Sequence, residues 1–204
     1  MASLPALLLI AFVICQRLVE LALARHNTRR LLARGGREIG AEHYPLIVTL
    51  HATWILAIAA FGWQSPVSLP WLAAYAVLQL FRIWILTSLG PRWTTRIIII
   101  DEPLVRRGPY RFLPHPNYLL VGAELIVVPM ALGLPWLAAV FTILNGLVLT
   151  VRITVENRAL AESQPFERRE RDVRAAAKHI AVSAEQFVIG GRYALGGDIS
   201  GASF

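Results

Sequence analysis

Residues 106–118 read RRGPYRFLPHPNY and separate two strongly apolar segments. The stretch holds three prolines, three arginines, two tyrosines, a glycine, a histidine and an asparagine. Pro109, Pro114 and Pro116 fix φ and remove backbone donors, so no continuous helix runs through it and the segment is a stiff, turned loop. A pre-ordered backbone that holds an imidazole, a carboxamide and two phenols suits recognition of a polar cofactor beside an apolar substrate. The plainer reading is an interfacial connector, with arginines on the positive-inside face and tyrosines at headgroup level. That reading suffices for Arg106, Arg107 and Arg111 alone; the whole string favours a site.

The rest of the chain places this loop beside a bilayer. Of the 204 residues 56% are hydrophobic and only 16% are charged, where charged residues make up about a quarter of a soluble domain. The expectation is an all-α integral membrane protein with five transmembrane helices forming one compact unit, residues 1–162, and a cytoplasmic cofactor-binding loop. Cys15 is the single cysteine, which excludes an internal disulfide and any multi-cysteine metal site, and no metal is expected. The net charge of +7 could suggest nucleic acid, but the arginines gather beside apolar segments and no nucleic-acid motif is present, so membrane topology explains the charge better.

The first span is expected at Leu4–Ala24. It lacks the basic start and clean apolar core of a signal peptide and is expected to stay in the mature protein. Arg17 and Glu20 share a face of it, where they either pair near the inner surface or line a substrate path. Arg25–Tyr44 is expected to be a basic cytoplasmic loop, with Gly35 and Gly36 breaking any helix. Leu46–Trp63 is the second span, carrying His51, and Leu69–Leu89 the third, carrying Gln79 and Arg82 on one face. Ile97–Ile100 reads as a short strand or an interfacial strip.

Tyr118–Leu134 and Pro135–Val151 form a helical hairpin, with Glu124 in its first helix and Asn145 in its second. The second helix is expected to run on through Arg152, Glu156 and Leu160. Five spans put the amino terminus outside and the carboxyl terminus and active site in the cytoplasm, with both arginine-rich loops on one side and both outer turns uncharged. Residues 163–204 read as a charged surface helix followed by a flexible, glycine-punctuated tail.

The string Gly108-Pro-Tyr110, then His115-Pro-Asn-Tyr118 at the start of a helix, then Arg152 and Glu156-Asn-Arg158 after a hairpin, resembles the isoprenylcysteine carboxyl methyltransferase family. More narrowly, it is similar to the small bacterial branch that methylates alkylpyrones and alkylresorcinols made by type III polyketide synthases. Gln16-Arg17, Glu20, Arg34-Gly-Gly36, His43-Tyr-Pro45, His51, Arg82 and Leu89-Gly-Pro-Arg-Trp-Thr-Thr95 extend the likeness over roughly residues 10–160. The resemblance implies a bacterial inner-membrane enzyme that uses S-adenosyl-L-methionine. Tyr110, His115, Pro116, Asn117, Tyr118 and Glu156 would then bind that cofactor. The chain departs from the family pattern at Pro114, where arginine is usual, and at Asn157, where a second glutamate is usual; its tail does not reproduce the family's aromatic carboxyl-terminal segment.

Methyl transfer from a sulfonium is an in-line displacement, so the protein must align the acceptor oxygen and exclude water. A cation such as Arg152 or Arg82 would favour an ionised phenol, enol or carboxylate acceptor. Glu156 suits a ribose hydroxyl or amino group, or else a plain helix pair with Arg152. Glu124 is either a proton acceptor or a group hydrogen-bonded between helices. The expected partners are a lipophilic small-molecule substrate and membrane lipid; oligomeric state is left open. Two alternatives compete: an NADPH-dependent membrane reductase of the sterol-reductase type, which shares a His-Pro-Asn-Tyr element, and a non-enzymatic lipid-binding protein. The Leu-Leu-Val-Gly-Ala-Glu that follows Tyr118 speaks against the reductase.

Overall fold

The computed structural model describes residues 2–103 and 105–159; the expected surface helix and tail, residues 163–204, lie outside them. Among the described residues five α-helices make up the bundle: α1 (Leu4–Ala33), α2 (Tyr44–Gly62), α3 (Leu69–Leu89), α4 (Pro116–Ala131) and α5 (Pro135–Ala159). All but α4 are long and apolar enough to cross a membrane; α4 is an apolar helix of 16 residues. Prolines near the first turns of α1, α2, α3 and α4 sit where a missing N–H costs nothing and a fixed φ favours helix.

The expectation of a loop from Arg25 is corrected. Helix α1 continues to Ala33 and stops only at Gly35 and Gly36. The reason is amphipathicity: Ala24, Asn27, Thr28 and Leu31 are buried, and their spacing makes a single stripe. At about 1.5 Å per residue, 30 residues reach roughly 45 Å, beyond the roughly 30 Å of hydrocarbon in a bilayer. The basic stretch is therefore a projecting helix end. Beyond it, β1 (Arg37–Ile39) pairs antiparallel with β2 (Ile97–Ile99), with Glu38 opposite Ile98, so the first three residues of the Ile97–Ile100 run form a strand.

A central apolar cluster draws Val13 from α1, Trp54 and Ile58 from α2, Leu125 and Val128 from α4 and Leu137 and Phe141 from α5. A smaller one joins Ala24, Ile85, Trp93 and Leu120. Many outward leucines, isoleucines and valines, such as Leu18, Leu56, Leu80, Ile143 and Leu147, are exposed, as a lipid-facing surface requires.

Among these apolar layers lies an ionic cluster. Arg17 donates to Glu20 at 2.9 Å and to Glu124 at 2.5 Å. Arg82 reaches Glu20 at 2.6 Å and also bonds Glu124. Gln79 donates to Glu124 at 3.0 Å, Gln16 to Glu20 at 2.9 Å, and the Tyr75 hydroxyl to Gln16 at 2.8 Å. Two cations and two anions cancel, and amides satisfy remaining lone pairs, which is how ionised groups become tolerable in an apolar interior. The cluster ties α1, α3 and α4 together. Replacing Glu124 with leucine leaves two guanidiniums competing for one carboxylate and is expected to cost about 3–5 kcal/mol. Thermal unfolding in detergent, followed by tryptophan fluorescence, measures this; the Glu124→Leu, Arg82→Met double variant is expected to lose less than the sum of its parts.

Candidate functional site

One end of the bundle collects the polar groups that the membrane-facing part lacks. The segment 93–96 acts as a spine there, each residue engaging a different neighbour. The Trp93 carbonyl accepts from Asn27 Nδ2 at 2.8 Å, and the hydroxyls of Thr94 and Thr28 share a bond of 2.7 Å, which anchors α1. The Thr95 hydroxyl meets Tyr44 of α2 at 3.1 Å, while its carbonyl accepts from Arg152 Nη2 of α5 at 2.8 Å. Arg96 pairs with Glu38 of β1 at 2.6 Å and lies over the Tyr44 ring, 4.3 Å from its centroid.

The proline-rich loop docks on the end of α3. Gly108 has a φ of +58°, and a Cβ there would overlap the Ser88 hydroxyl, so both conformation and space require glycine. Arg107 Nε donates to the Ser88 carbonyl at 2.8 Å. Pro109 is buried, and Tyr110 packs on the cluster containing Ile85, Trp93 and Leu120. The loop then delivers His115 to the N-cap of α4 and the buried Pro116 to its first turn. Asn117 follows, half-buried.

Tyr118 is the hinge of the site. Its hydroxyl donates to Glu156 Oε2 at 2.5 Å and accepts from Arg152 Nε at 2.7 Å. The Arg152 guanidinium also lies 5.4 Å from the centre of the Tyr118 ring. His115 stacks on that ring, with centroids 5.2 Å apart and planes 19° apart, and its Nδ1 is 3.7 Å from Glu156 Oε2. Arg152 and Glu156 thus share a helix face, as their spacing requires, but meet through a phenol from α4. The Tyr110 phenol is held well above its usual range, first by burial and then by the Glu156 charge.

The structure therefore brings Tyr118, His115, Arg152 and Glu156 together, with Tyr110 within reach of the Glu156 field. It places Arg82 and Glu124 elsewhere, on each other and on Arg17 and Glu20. No sequence pattern marks the Thr95 carbonyl, because every residue has one, and the His43-Tyr-Pro45 string carries no sign of the partner of Tyr44.

The comparisons bear on the same residues. The isoprenylcysteine carboxyl methyltransferase (ICMT) family model matches residues 71–162, which include the loop, Tyr118, Arg152 and Glu156. Uncharacterized protein YpbQ of Bacillus subtilis (strain 168) is 38% identical over 161 residues, covering 76% of this chain and 96% of that protein. The chain belongs to the ICMT family. No solved structure matches it. In this ICMT chain the matched region spans α3 to α5 and leaves α1 and α2 outside the family model.

The donor set fits S-adenosylmethionine by its chemistry. Glu156 Oε1 has no hydrogen-bond partner among the described residues and can accept from a diol or ammonium. The Nη1 group of Arg152 is likewise without one and can hold a carboxylate, and the stacked aromatics offer faces to a cation or a base.

Two measurements check this geometry. Tyr118→Phe removes both hydroxyl bonds and is expected to lower stability by about 1–3 kcal/mol in thermal unfolding. A phenol whose folded pKa is raised holds its proton more tightly in the folded state, so its stabilisation is complete below the unfolded value of about 10 and is lost as pH rises past it. Denaturation scans from pH 8 to 11 should therefore show Tyr110→Phe losing less stability above about pH 10 than the parent chain.

Proposed function

We propose that this chain is an S-adenosylmethionine-dependent integral membrane O-methyltransferase acting on a lipophilic acceptor, either of the alkylpyrone or alkylresorcinol type or an isoprenylcysteine-like carboxylate. The observation that carries the reading is the meeting of Tyr118, Arg152 and Glu156 at 2.5 and 2.7 Å, within the segment that matches the ICMT model.

Helix length supports the choice of an apolar acceptor. Sixteen residues of α4 rise about 24 Å, short of roughly 30 Å of hydrocarbon. In a bilayer this seats the start of α4, with His115 and Tyr118, at or below the headgroup boundary. A membrane-dissolved molecule reaches that depth, while a polar donor comes from the aqueous side. In this reading the site faces the cytoplasm, where the exposed arginines of the projecting α1 end and of the central loop also lie.

The bound donor supplies an electrophilic methyl carbon. Glu156 and His115 hold its polar parts, Tyr110 and Tyr118 wall the site, and Arg152 favours negative charge on the acceptor oxygen. Arg82 and Glu124 serve the reaction by positioning α4. Glu124 is bonded to Arg17 and Arg82, and Arg82 to Glu20 and Glu124, so neither is directed at the group formed by Tyr118, Arg152 and Glu156.

Calorimetry on the full chain in detergent is expected to show S-adenosylmethionine binding that Glu156→Ala and His115→Ala each abolish while unfolding remains cooperative. Affinity for NADPH with none for S-adenosylmethionine would instead select the reductase. With methyl-labelled donor, label is expected on an alkylpyrone or alkylresorcinol oxygen; label found only on a thiol or a lipid amine would refute O-methylation.

A further inference from the structure

A cavity of about 500 Å³ lies where the ends of α1 and α3 meet residues 105–107 of the central loop. Leu89, Pro91 and Val105 form its apolar wall, and four arginines, Arg34, Arg92, Arg106 and Arg107, form the rest. It shares no lining residue with the group of His115, Tyr118, Arg152 and Glu156.

The guanidiniums come from three separate stretches of the chain, so the fold and not a local run of charge gathers them. Among the described residues one carboxylate answers them: Glu102 bonds both Arg34 and Arg92. Arg106 bonds no carboxylate there, and Arg107 uses only Nε, on the neutral Ser88 carbonyl at 2.8 Å. Positive charge is therefore in excess around the cavity, and the mutual repulsion it creates is relieved by an anion. Two of the four side chains are also held in place from behind. Arg92 Nη1 donates to the Pro103 carbonyl at 2.5 Å, and Arg107 is fixed through Ser88, against which Gly108 packs too closely for a side chain. A guanidinium tied at Nε still presents its two terminal N–H groups as a fork, the shape that matches two oxygens of a phosphate.

The height of the cavity matches a lipid headgroup. The 21 residues of α3 rise about 31 Å, close to the roughly 30 Å of hydrocarbon in a bilayer, so Leu89 at its end marks the edge of the apolar layer. Trp84 lies five residues earlier, exposed and beside Gly108, where interfacial tryptophans gather.

We propose that this cavity binds an anionic glycerophospholipid, with Arg106 and Arg107 on the phosphate oxygens and Leu89, Pro91 and Val105 against the glycerol and the first methylenes. A free phosphate ion gains nothing from the apolar wall. A zwitterionic lipid carries its own cation into a cavity that is already positive. Both considerations select a headgroup with net negative charge. Because Arg34 caps α1 while Arg106 and Arg107 begin the loop, the bound lipid ties α1, α3 and the loop together. The site stands independently of the methyltransferase reading.

The full chain in nanodiscs tests this. In discs of mixed phosphatidylcholine and phosphatidylglycerol, native mass spectrometry after release into detergent is expected to show phosphatidylglycerol retained in preference, and thermal unfolding is expected at a higher temperature than in pure phosphatidylcholine. The Arg106→Gln, Arg107→Gln double variant should lose about 10-fold or more of that preference, together with the added stability. Arg106→Glu reverses a charge at a side chain that bonds nothing among the described residues, so it disturbs no contact, and it should abolish the preference by itself. Arg25→Gln, Arg30→Gln removes two exposed charges of α1 that lie outside the cavity and should keep both effects. An equal loss in the two double variants, or an unchanged preference in Arg106→Glu, overturns the inference. Inorganic phosphate that stabilises the chain in phosphatidylcholine discs as fully as phosphatidylglycerol does, through the same arginines, would make the ligand a free ion and overturn the lipid assignment. Displacement of the retained lipid by S-adenosylmethionine would give these arginines to the methyl donor and overturn it as well. Lipid retention without any binding of S-adenosylmethionine supports this site and refutes the methyltransferase reading alone.

Discussion

Two guanidiniums and two carboxylates between apolar helices set the terms for this bundle. Each charge alone would cost roughly 3 kcal/mol in a bilayer, so Arg17, Glu20, Arg82 and Glu124 must find one another for the helices to associate at all. Their bonds are directional, unlike the leucine and valine contacts around them, which tolerate sliding. Arg17 and Arg82 each touch both carboxylates, and this fixes the rotation and height of α4 relative to α1 and α3.

The position of α4 is what the functional end depends on. Tyr118 lies six residues before Glu124 on the same helix, so the ionic cluster also determines where the phenol stands. The phenol in turn meets Arg152 and Glu156 only because α5 returns antiparallel after a three-residue turn, Leu132 to Leu134. Gly40 helps α5 lie close: a Cβ there would come within 2.9 Å of the Val155 side chain. The charged interior and the polar end thus form one mechanical unit.

The division of labour is visible in exposure. In the span Glu20, Arg82 and Glu124 are buried, Glu124 wholly inaccessible, whereas the Glu156 and His115 side chains keep 24% and 20% of their surface. Groups that are sealed and mutually satisfied stabilise; groups that keep spare lone pairs and access can bind.

Much of this was legible from composition and spacing. The apolar runs determined that the chain is helical with membrane-length segments, because hydrogen-bonding every backbone group within one segment leaves few other structures in lipid. The prolines determined that residues 106–118 turn, and the spacings of three and four put Arg17 with Glu20, Gln79 with Arg82 and Arg152 with Glu156 on shared faces. Tertiary structure alone decided which of these faces meet. Glu124 could have been a base or a tie, and the sequence carries no term for the two arginines that hold it. Likewise, Glu156 read as either a cofactor contact or a simple helix pair with Arg152, while the fold inserts the Tyr118 hydroxyl between the two. The strand at residues 97–99 and the long end of α1 needed each other, since a three-residue ladder and a helix stripe gain stability only once a partner covers them. Spacing along one element is local geometry; contact between elements depends on how all five pack, which no local pattern encodes.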